Sequence, residues 1–277
     1  MIMSISATDV KKLRDITGAG MMDCKQALTE ANGDFDMAID VLRKKGQKLS
    51  DKRADRDAKE GVILAVVNEA NNKGVIIKLS CETDFVSKNE EFVSLTREFA
   101  DIALENFPGS LDELLQLPYN GITIGAKVTE QVGVIGEKIE LASYEKLAAD
   151  VVAPYIHMGN KAAVLVGLNK TGNGVYDAGR DVAMQVAAMN PVAVDKDQVD
   201  ASTIEKEIEI GKEVARAEGK PEAMLERIAQ GKLEKFYKER TLLNQAFVKE
   251  SKMTVGEFLK GVDSGLTVTD FKHVTLG

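Results

Sequence analysis

Residues 75–92 read Val75-Ile76-Ile77-Lys78-Leu79-Ser80-Cys81-Glu82-Thr83-Asp84-Phe85-Val86-Ser87-Lys88-Asn89-Glu90-Glu91-Phe92. The run from Val75 to Leu79 is short, apolar and rich in β-branched residues, which is the pattern of a strand. It breaks at Cys81 through Val86, and a helix is expected from about Ser87. Such a strand-to-helix corner lies at the surface, where functional residues concentrate. This one sets a carboxylate beside a large ring, Asp84-Phe85. The ring is either tucked into the chain's own core, as most Phe side chains are, or offered to a partner. Asp84 prefers solvent or a cation.

Working outward, a strand is expected at 61–67 and a turn at Asn71-Asn72-Lys73-Gly74. A helix follows the corner at about 88–106, with Phe92, Leu95, Phe99, Ile102 and Ala103 at amphipathic spacing. A similar unit recurs later. The apolar run Ala162 to Leu168 leads through a Gly-rich turn to a helix carrying Val182, Ala183, Val186 and Ala187, ending at Met189-Asn190-Pro191. Strands at about 122–128 and 134–144 would complete the sheets. The expected class is therefore α+β, with a duplicated core of antiparallel sheets. One core subdomain covers 61–150, and the second covers 151–201 and 241–277.

Two further segments flank or interrupt this core. Residues 1–46 read as a three-helix module. Its first helix is capped by Ser6 or Thr8 and ends at Gly18, its second closes near Asn32-Gly33, and its third is capped by Asp34 and ends at Gly46. A module of this size is marginal alone and suits a docking role. Residues 47–60 hold nine charges in fourteen positions and read as a charged, partly helical linker. Residues 202–240 carry eighteen charges, nine of each sign. Gly219-Lys220-Pro221 divides them into two helices with a narrow apolar seam, expected to project as an antiparallel hairpin. An ordinary solvated helix pair and a homodimer contact both remain open readings of this hairpin. A short strand and helix around 247–259 and a closing strand at 268–274 finish the chain.

Composition excludes several classes. The net charge of −8 over 277 residues argues against a direct nucleic-acid ligand, which needs clustered Lys and Arg. No apolar run approaches a membrane span, and no leader is evident, so a cytoplasmic protein is expected. Cys24 and Cys81 stand alone and read as buried thiols, neither a disulfide framework nor a zinc site. His157 and His273 are the only histidines, too few for most triads or metal centres, so no cofactor is expected. Gly172-Asn173-Gly174 with Gly179 falls short of Gly-x-Gly-x-x-Gly, because Asp177 takes the third glycine position. Asn169-Lys170-Thr171-Gly172 lacks the Asp of a guanine-recognition tetrapeptide. Both read as turn chemistry, and no Gly-x-x-x-x-Gly-Lys-Ser/Thr loop is present. An enzyme with Cys81 as nucleophile has no His placed in sequence to serve as its base.

Five separated segments resemble the bacterial elongation factor Ts family: Leu13 to Lys25, Cys81-Glu82-Thr83-Asp84-Phe85-Val86, Ala183-Met184-Gln185-Val186-Ala187-Ala188, Gly219-Lys220-Pro221, and Gln245-Ala246-Phe247-Val248 with Lys252-Met253-Thr254-Val255-Gly256. The resemblance implies a guanine-nucleotide exchange factor acting on elongation factor Tu without covalent catalysis. It also implies that the N-terminal module is ubiquitin-associated-like. Thr83, Asp84, Phe85 and Val86 would enter the partner GTPase near its magnesium site and displace the ion. Leu13, Met21, Met22 and Gln185 would serve docking, although core burial of at least one of Met21 and Met22 is the plainer reading. Gln185 stands where many members carry His, so a cationic side chain is not available there. Longer members continue into a partner-binding C-terminal helix, and that contact is expected to be missing after Gly277. The reading from another class is a scaffold that docks a partner through the three-helix module.

Overall fold

The computed structural model describes residues 5–276; residues 1–4 and 277, assigned above to the N-terminal module and the second core subdomain, lie outside it. The chain begins with α1 (Ala7–Thr17), α2 (Met21–Glu30) and α3 (Phe35–Arg53), followed by β1 (Glu60–Val67) and β2 (Lys73–Cys81). A single helical turn, α4 (Asp84–Ser87), leads to α5 (Glu90–Asn106). Then come α6 (Leu111–Gln116), the ribbon β3 (Pro118–Tyr119) and β4 (Ile122–Thr123), α7 (Ile124–Ile135) and β5 (Glu140–Ala148). The second half runs β6 (Val151–Ile156), β7 (Ala162–Leu168), α8 (Val175–Met189), α9 (Ala201–Ala217), α10 (Glu222–Arg240), β8 (Ala246–Phe247), β9 (Glu250–Thr254), α11 (Val255–Val262) and β10 (Val268–Thr275).

The two halves repeat one plan. In each, an antiparallel hairpin leads to a helix, and after an excursion a third strand pairs with the hairpin's second strand. The resulting sheets are β1-β2-β5 and β6-β7-β10. Successive side chains of a strand point to opposite faces, and here both faces are apolar. Val62, Leu64, Val66, Val75, Ile77 and Leu79 pack with Phe92, Leu95 and Phe99 of α5. Their neighbours Ile63, Ala65 and Ile76 meet Val152, Ala163 and Leu165 of the second sheet. On the far side, Val164, Val166 and Leu168 pack with Val182, Ala183 and Val186 of α8. The order of layers is helix, sheet, sheet, helix.

The excursions repeat as well. Each holds a two-stranded ribbon followed by a helix whose N-cap is a Thr, with Thr123 Oγ1 accepting from Ala126 N and Thr254 Oγ1 from Glu257 N, both at 3.1 Å. The second residue after that Thr is a glycine lying against a carbonyl in both: a Cβ on Gly125 would stand 3.2 Å from the Leu115 oxygen, and one on Gly256 3.1 Å from the Leu243 oxygen. The duplication thus extends beyond the two sheets and their helices to the excursions between them.

Two sequence expectations fail. The segment 122–128 is not a strand, because only Ile122 and Thr123 are extended. Thr123 caps α7, and Ile124, Val128 and Val132 then form a buried stripe at helical spacing. The third sheet strand correspondingly starts at Glu140, and 134–139 is the end of α7 and a loop. Second, α3 does not end at Gly46 but runs on to Arg53, so much of the charged stretch 47–60 is helix. Gly46 marks a close helix crossing. Its added Cβ would lie 3.1 Å from the Thr129 carbonyl oxygen, and one on Gly133 would lie 3.0 Å from the Gly46 Cα. The two glycines let α3 and α7 touch backbone to backbone, and Arg43 Nε bonds Glu130 at 2.9 Å beside the crossing.

The hairpin of α9 and α10 buries Gly211 and Ala215 against Leu225, Ala229 and Leu233, with Lys212–Glu226 and Arg216–Glu222 pairs along its sides.

Candidate partner-binding site

β2 ends at Cys81, and the chain turns sharply into α4. What holds the turn is a pair of carboxylates. Glu137, in the loop between α7 and β5, accepts from the backbone N–H groups of Glu82 (3.1 Å) and Thr83 (3.0 Å) through Oε2, and from the Thr83 hydroxyl (2.7 Å) through Oε1. Thr83 therefore does not cap α4 with its side chain. Glu82 in turn accepts from Arg53 Nη1 (2.7 Å), Arg56 Nη1 (3.0 Å) and the backbone N–H of Lys138 (2.6 Å). Burial works against ionising Glu82, but the Lys138 N–H and the two guanidiniums outweigh it and hold its pKa at about 2.

On this braced corner the four motif residues divide. Thr83 is anchored. Val86 turns inward onto the first core cluster. Asp84 is half exposed and bonds Lys88 at 2.6 Å, and that bond and charge lower its pKa. Phe85 is 85% exposed, so the ring is not tucked into the chain's own core. Beside it runs a groove lined by Val86, Asn89, Phe92, Gln131, Val134 and Ile135. Val134 also lies 3.7 Å from where a Cβ of Gly18 would stand. The first turn of the N-terminal module and the Phe85 corner thus border one surface.

The docking residues fare unequally. Met21 is exposed and Met22 is 75% exposed, so neither is a core residue. Ile16, on the first helix, is exposed as well. Leu13 is fully buried among Val10, Cys24, Ala27 and Leu28. It builds the module and offers no surface. Gln185 is fully buried too. Its amide donates to Gln245 Oε1 (3.0 Å) and to the Ala246 carbonyl (3.1 Å), and its carbonyl accepts from Val248 N (2.8 Å). Because Gln245 donates onward to the Glu239 carbonyl at 2.9 Å, Gln185 ties α8 to the ribbon β8–β9 and the foot of the hairpin. A neutral amide, both donor and acceptor, fits that place without the cost of burying a charge.

Cys81 is buried and bonds the Thr83 carbonyl at 3.2 Å. Burial, then Glu137 and Glu60, push its pKa up to about 12, so it stays a protonated thiol. Among the described residues no group of His, Cys, Asp and Glu is placed to hold a metal ion, and no helix is long and apolar enough to cross a membrane.

The residues that sequence reasoning missed are Arg53, Arg56 and Glu137. Glu82 was visible only as part of the quoted motif. Their partners lie 29, 26 and 54 or 55 residues away, beyond any local pattern.

The family described as Elongation factor TS matches residues 82–277. The chain is similar to the elongation factor Ts of Christiangramia forsetii, 56% identical over 273 residues and 99% of each chain. It is also similar to that of Flavobacterium psychrophilum, 55% identical over 274 residues and 99% of each chain. A third relative, elongation factor Ts of Amoebophilus asiaticus, is 54% identical over 276 residues, covering 99% of this chain and 100% of its own. The chain belongs to the elongation factor Ts family, and with it to the proteins of translation elongation.

Proposed function

We propose that this protein is the guanine-nucleotide exchange factor of elongation factor Tu, acting by non-covalent displacement. The observation that carries the reading is Phe85, 85% exposed at the tip of a corner whose base is held by two carboxylates. A large ring held out to water on a braced turn is poised to gain by burial in a partner.

The mechanism is linkage. A factor that binds the nucleotide-free GTPase more tightly than the GDP form weakens GDP by the same ratio. A ten-thousand-fold weakening needs about 5.5 kcal/mol of differential binding. Burying the Phe85 ring supplies about 1.5–3 kcal/mol, so the ring is not sufficient. The remainder comes from loss of the magnesium ion that bridges phosphate and protein, and from docking by Met21, Met22 and the exposed Ile16. Asp84 contributes by approaching the ion's site as an anion. It must first leave Lys88, an exposed neighbour whose pairing water readily replaces. Leu13 and Gln185 act through the module and the hairpin foot, not by touching the partner.

The test is release of fluorescent GDP from elongation factor Tu with and without the protein. Acceleration at substoichiometric protein supports the exchange reading. Binding to the GTPase with release at the spontaneous rate would leave the scaffold reading instead. The hairpin is proposed as a self-association surface, since Ile210, Val214 and Met224 are exposed on it. Sedimentation equilibrium of the protein and of Val214→Lys tests this, and identical monomeric masses would exclude it.

A further inference from the structure

The helix that belongs to the docking module ends on the corner that carries Phe85. α3 is capped by Asp34 inside the module, passes over α7 at the Gly46–Gly133 crossing, and reaches Arg53 without interruption. At 19 residues it spans about 28 Å. Three bonds fasten its far end. Arg53 and Arg56 both grip Glu82, and the Lys138 ammonium donates to the Ala54 carbonyl at 2.7 Å. Lys138 also donates its backbone N–H to Glu82, so the end of α3, the corner and the loop before β5 form one closed knot. Arg53 is largely enclosed. Its Nε is buried without a partner, which leaves the Nη1–Glu82 bond as its principal hold.

We propose that Arg53 and Arg56 are positioning residues that couple the docking module to Phe85: through Glu82 they hold the corner in the conformation that presents the ring. This rests on the exchange reading above, and deepens it. The module then does more than add affinity. A force or displacement on α1–α3 during docking travels along α3 to the residue that precedes Thr83. Conversely, loosening the knot leaves docking intact while the ring is presented for less of the time. The charge pair is suited to this because a guanidinium–carboxylate contact is directional. Glu137 would keep its own bonds to the corner, so loosening is partial and the fold is retained.

The experiment uses the full chain and the variants Arg53→Met, Arg53→Lys, Arg56→Met and Glu82→Gln. Backbone hydrogen exchange of residues 82–88 is compared with that of β1, β2 and α5. In parallel, the rate of fluorescent GDP release from elongation factor Tu is titrated to saturation. We expect Arg53→Met to raise exchange at 82–88 roughly tenfold, with the sheet unchanged, because only a local opening is made easier. The saturating rate should fall about three- to tenfold, while the half-saturating concentration moves less than about twofold. Arg53→Lys, which keeps a charge but not the planar guanidinium, should fall between; Arg56→Met, at the more exposed site, should be milder. Two results would overturn the proposal. One is unchanged protection of 82–88 in every variant. The other is a shift confined to the half-saturating concentration, which would make the arginines docking elements only. Should the parent protein itself fail to accelerate release, the exchange reading falls. The exchange-protection arm then still decides whether the knot orders the corner.

Discussion

The two halves of the core end their middle strands at equivalent corners, and the corners have opposite characters. After β7, Asn169 folds back on the loop before β10. Its amide donates to the Gly265 carbonyl at 3.0 Å and its carbonyl accepts from Thr267 N at 2.9 Å, while Lys170 pairs with Asp263 at 2.6 Å. After β2, the corner is likewise held by the loop before the third strand, through Glu137 and the Lys138 N–H. The scaffold thus supplies the same solution twice: a loop that seals the turn leaving the central strand. What differs is what the turn displays. The second corner carries Thr171, Gly172 and Asn173, all small or polar and exposed. The first inserts a helical turn, exposes Phe85, and receives a second grip from α3. The extra parts are the ones that the proposed exchange function uses; the shared parts are architecture.

That comparison is open to attack at several points. The largest effect is expected at the displayed ring. Phe85→Ala should slow saturating GDP release about ten- to hundredfold, the equivalent of about 1.5–3 kcal/mol of lost burial. Its stability should change by less than about 0.5 kcal/mol, because the side chain packs on little of its own protein. Thermal unfolding alongside stopped-flow exchange checks both.

Next comes the crossing of α3 over α7 at Gly46 and Gly133. Gly133→Leu drives a side chain into the α3 backbone, where even a Cβ would approach within 3.0 Å. It should cost about 1–3 kcal/mol and raise the half-saturating protein concentration more than it lowers the maximal rate. A collapse of the maximal rate toward the spontaneous one would instead make the module an essential clamp.

At the second corner the expected effect is on stability alone. Asn169→Ala removes two hydrogen bonds and should lower unfolding free energy by about 1–2 kcal/mol, with exchange unchanged per folded molecule. A loss of exchange there would erase the distinction between the corners.

The smallest effect is electrostatic. Glu82 has its pKa lowered from 4.5 to about 2. A depressed folded-state value contributes stability that is complete above the unfolded pKa, near 4.5, and is lost as pH falls toward 2. The stability difference between parent and Glu82→Gln should therefore shrink across that window, as followed by urea unfolding at neutral pH and near pH 3. A difference that stays constant with pH would mean that the charge of Glu82 does not hold the corner.

Much of this arrangement was legible in residues 61–106, where short apolar β-branched runs, a polar turn and an amphipathic helix each carry their own local signal. The corner was legible as a corner, but not the direction of its ring, because Val86 inward and Phe85 outward look alike in sequence. Gly46 shows why the rest was hidden. A glycine followed by charges has the pattern of a helix end, and only the approach of α7, some 87 residues away in the Arg43–Glu130 pair, turns it into a contact point. The segment 122–128 was misread for a local reason: Ile, Thr and Val suit a strand, yet Thr123 was also available as a helix cap. Leu13 and Gln185 sit in motifs that identify the family but are buried, so membership in a motif did not distinguish contact from support.

On the proposed exchange function, the Phe85 corner works by making the partner's magnesium ion leave. Its most direct test is the ratio of factor-stimulated to spontaneous GDP release from elongation factor Tu, measured with magnesium present and again after chelation. The ratio should shrink on chelation, because part of the factor's task is then already done. A ratio unchanged by removal of the metal would contradict it.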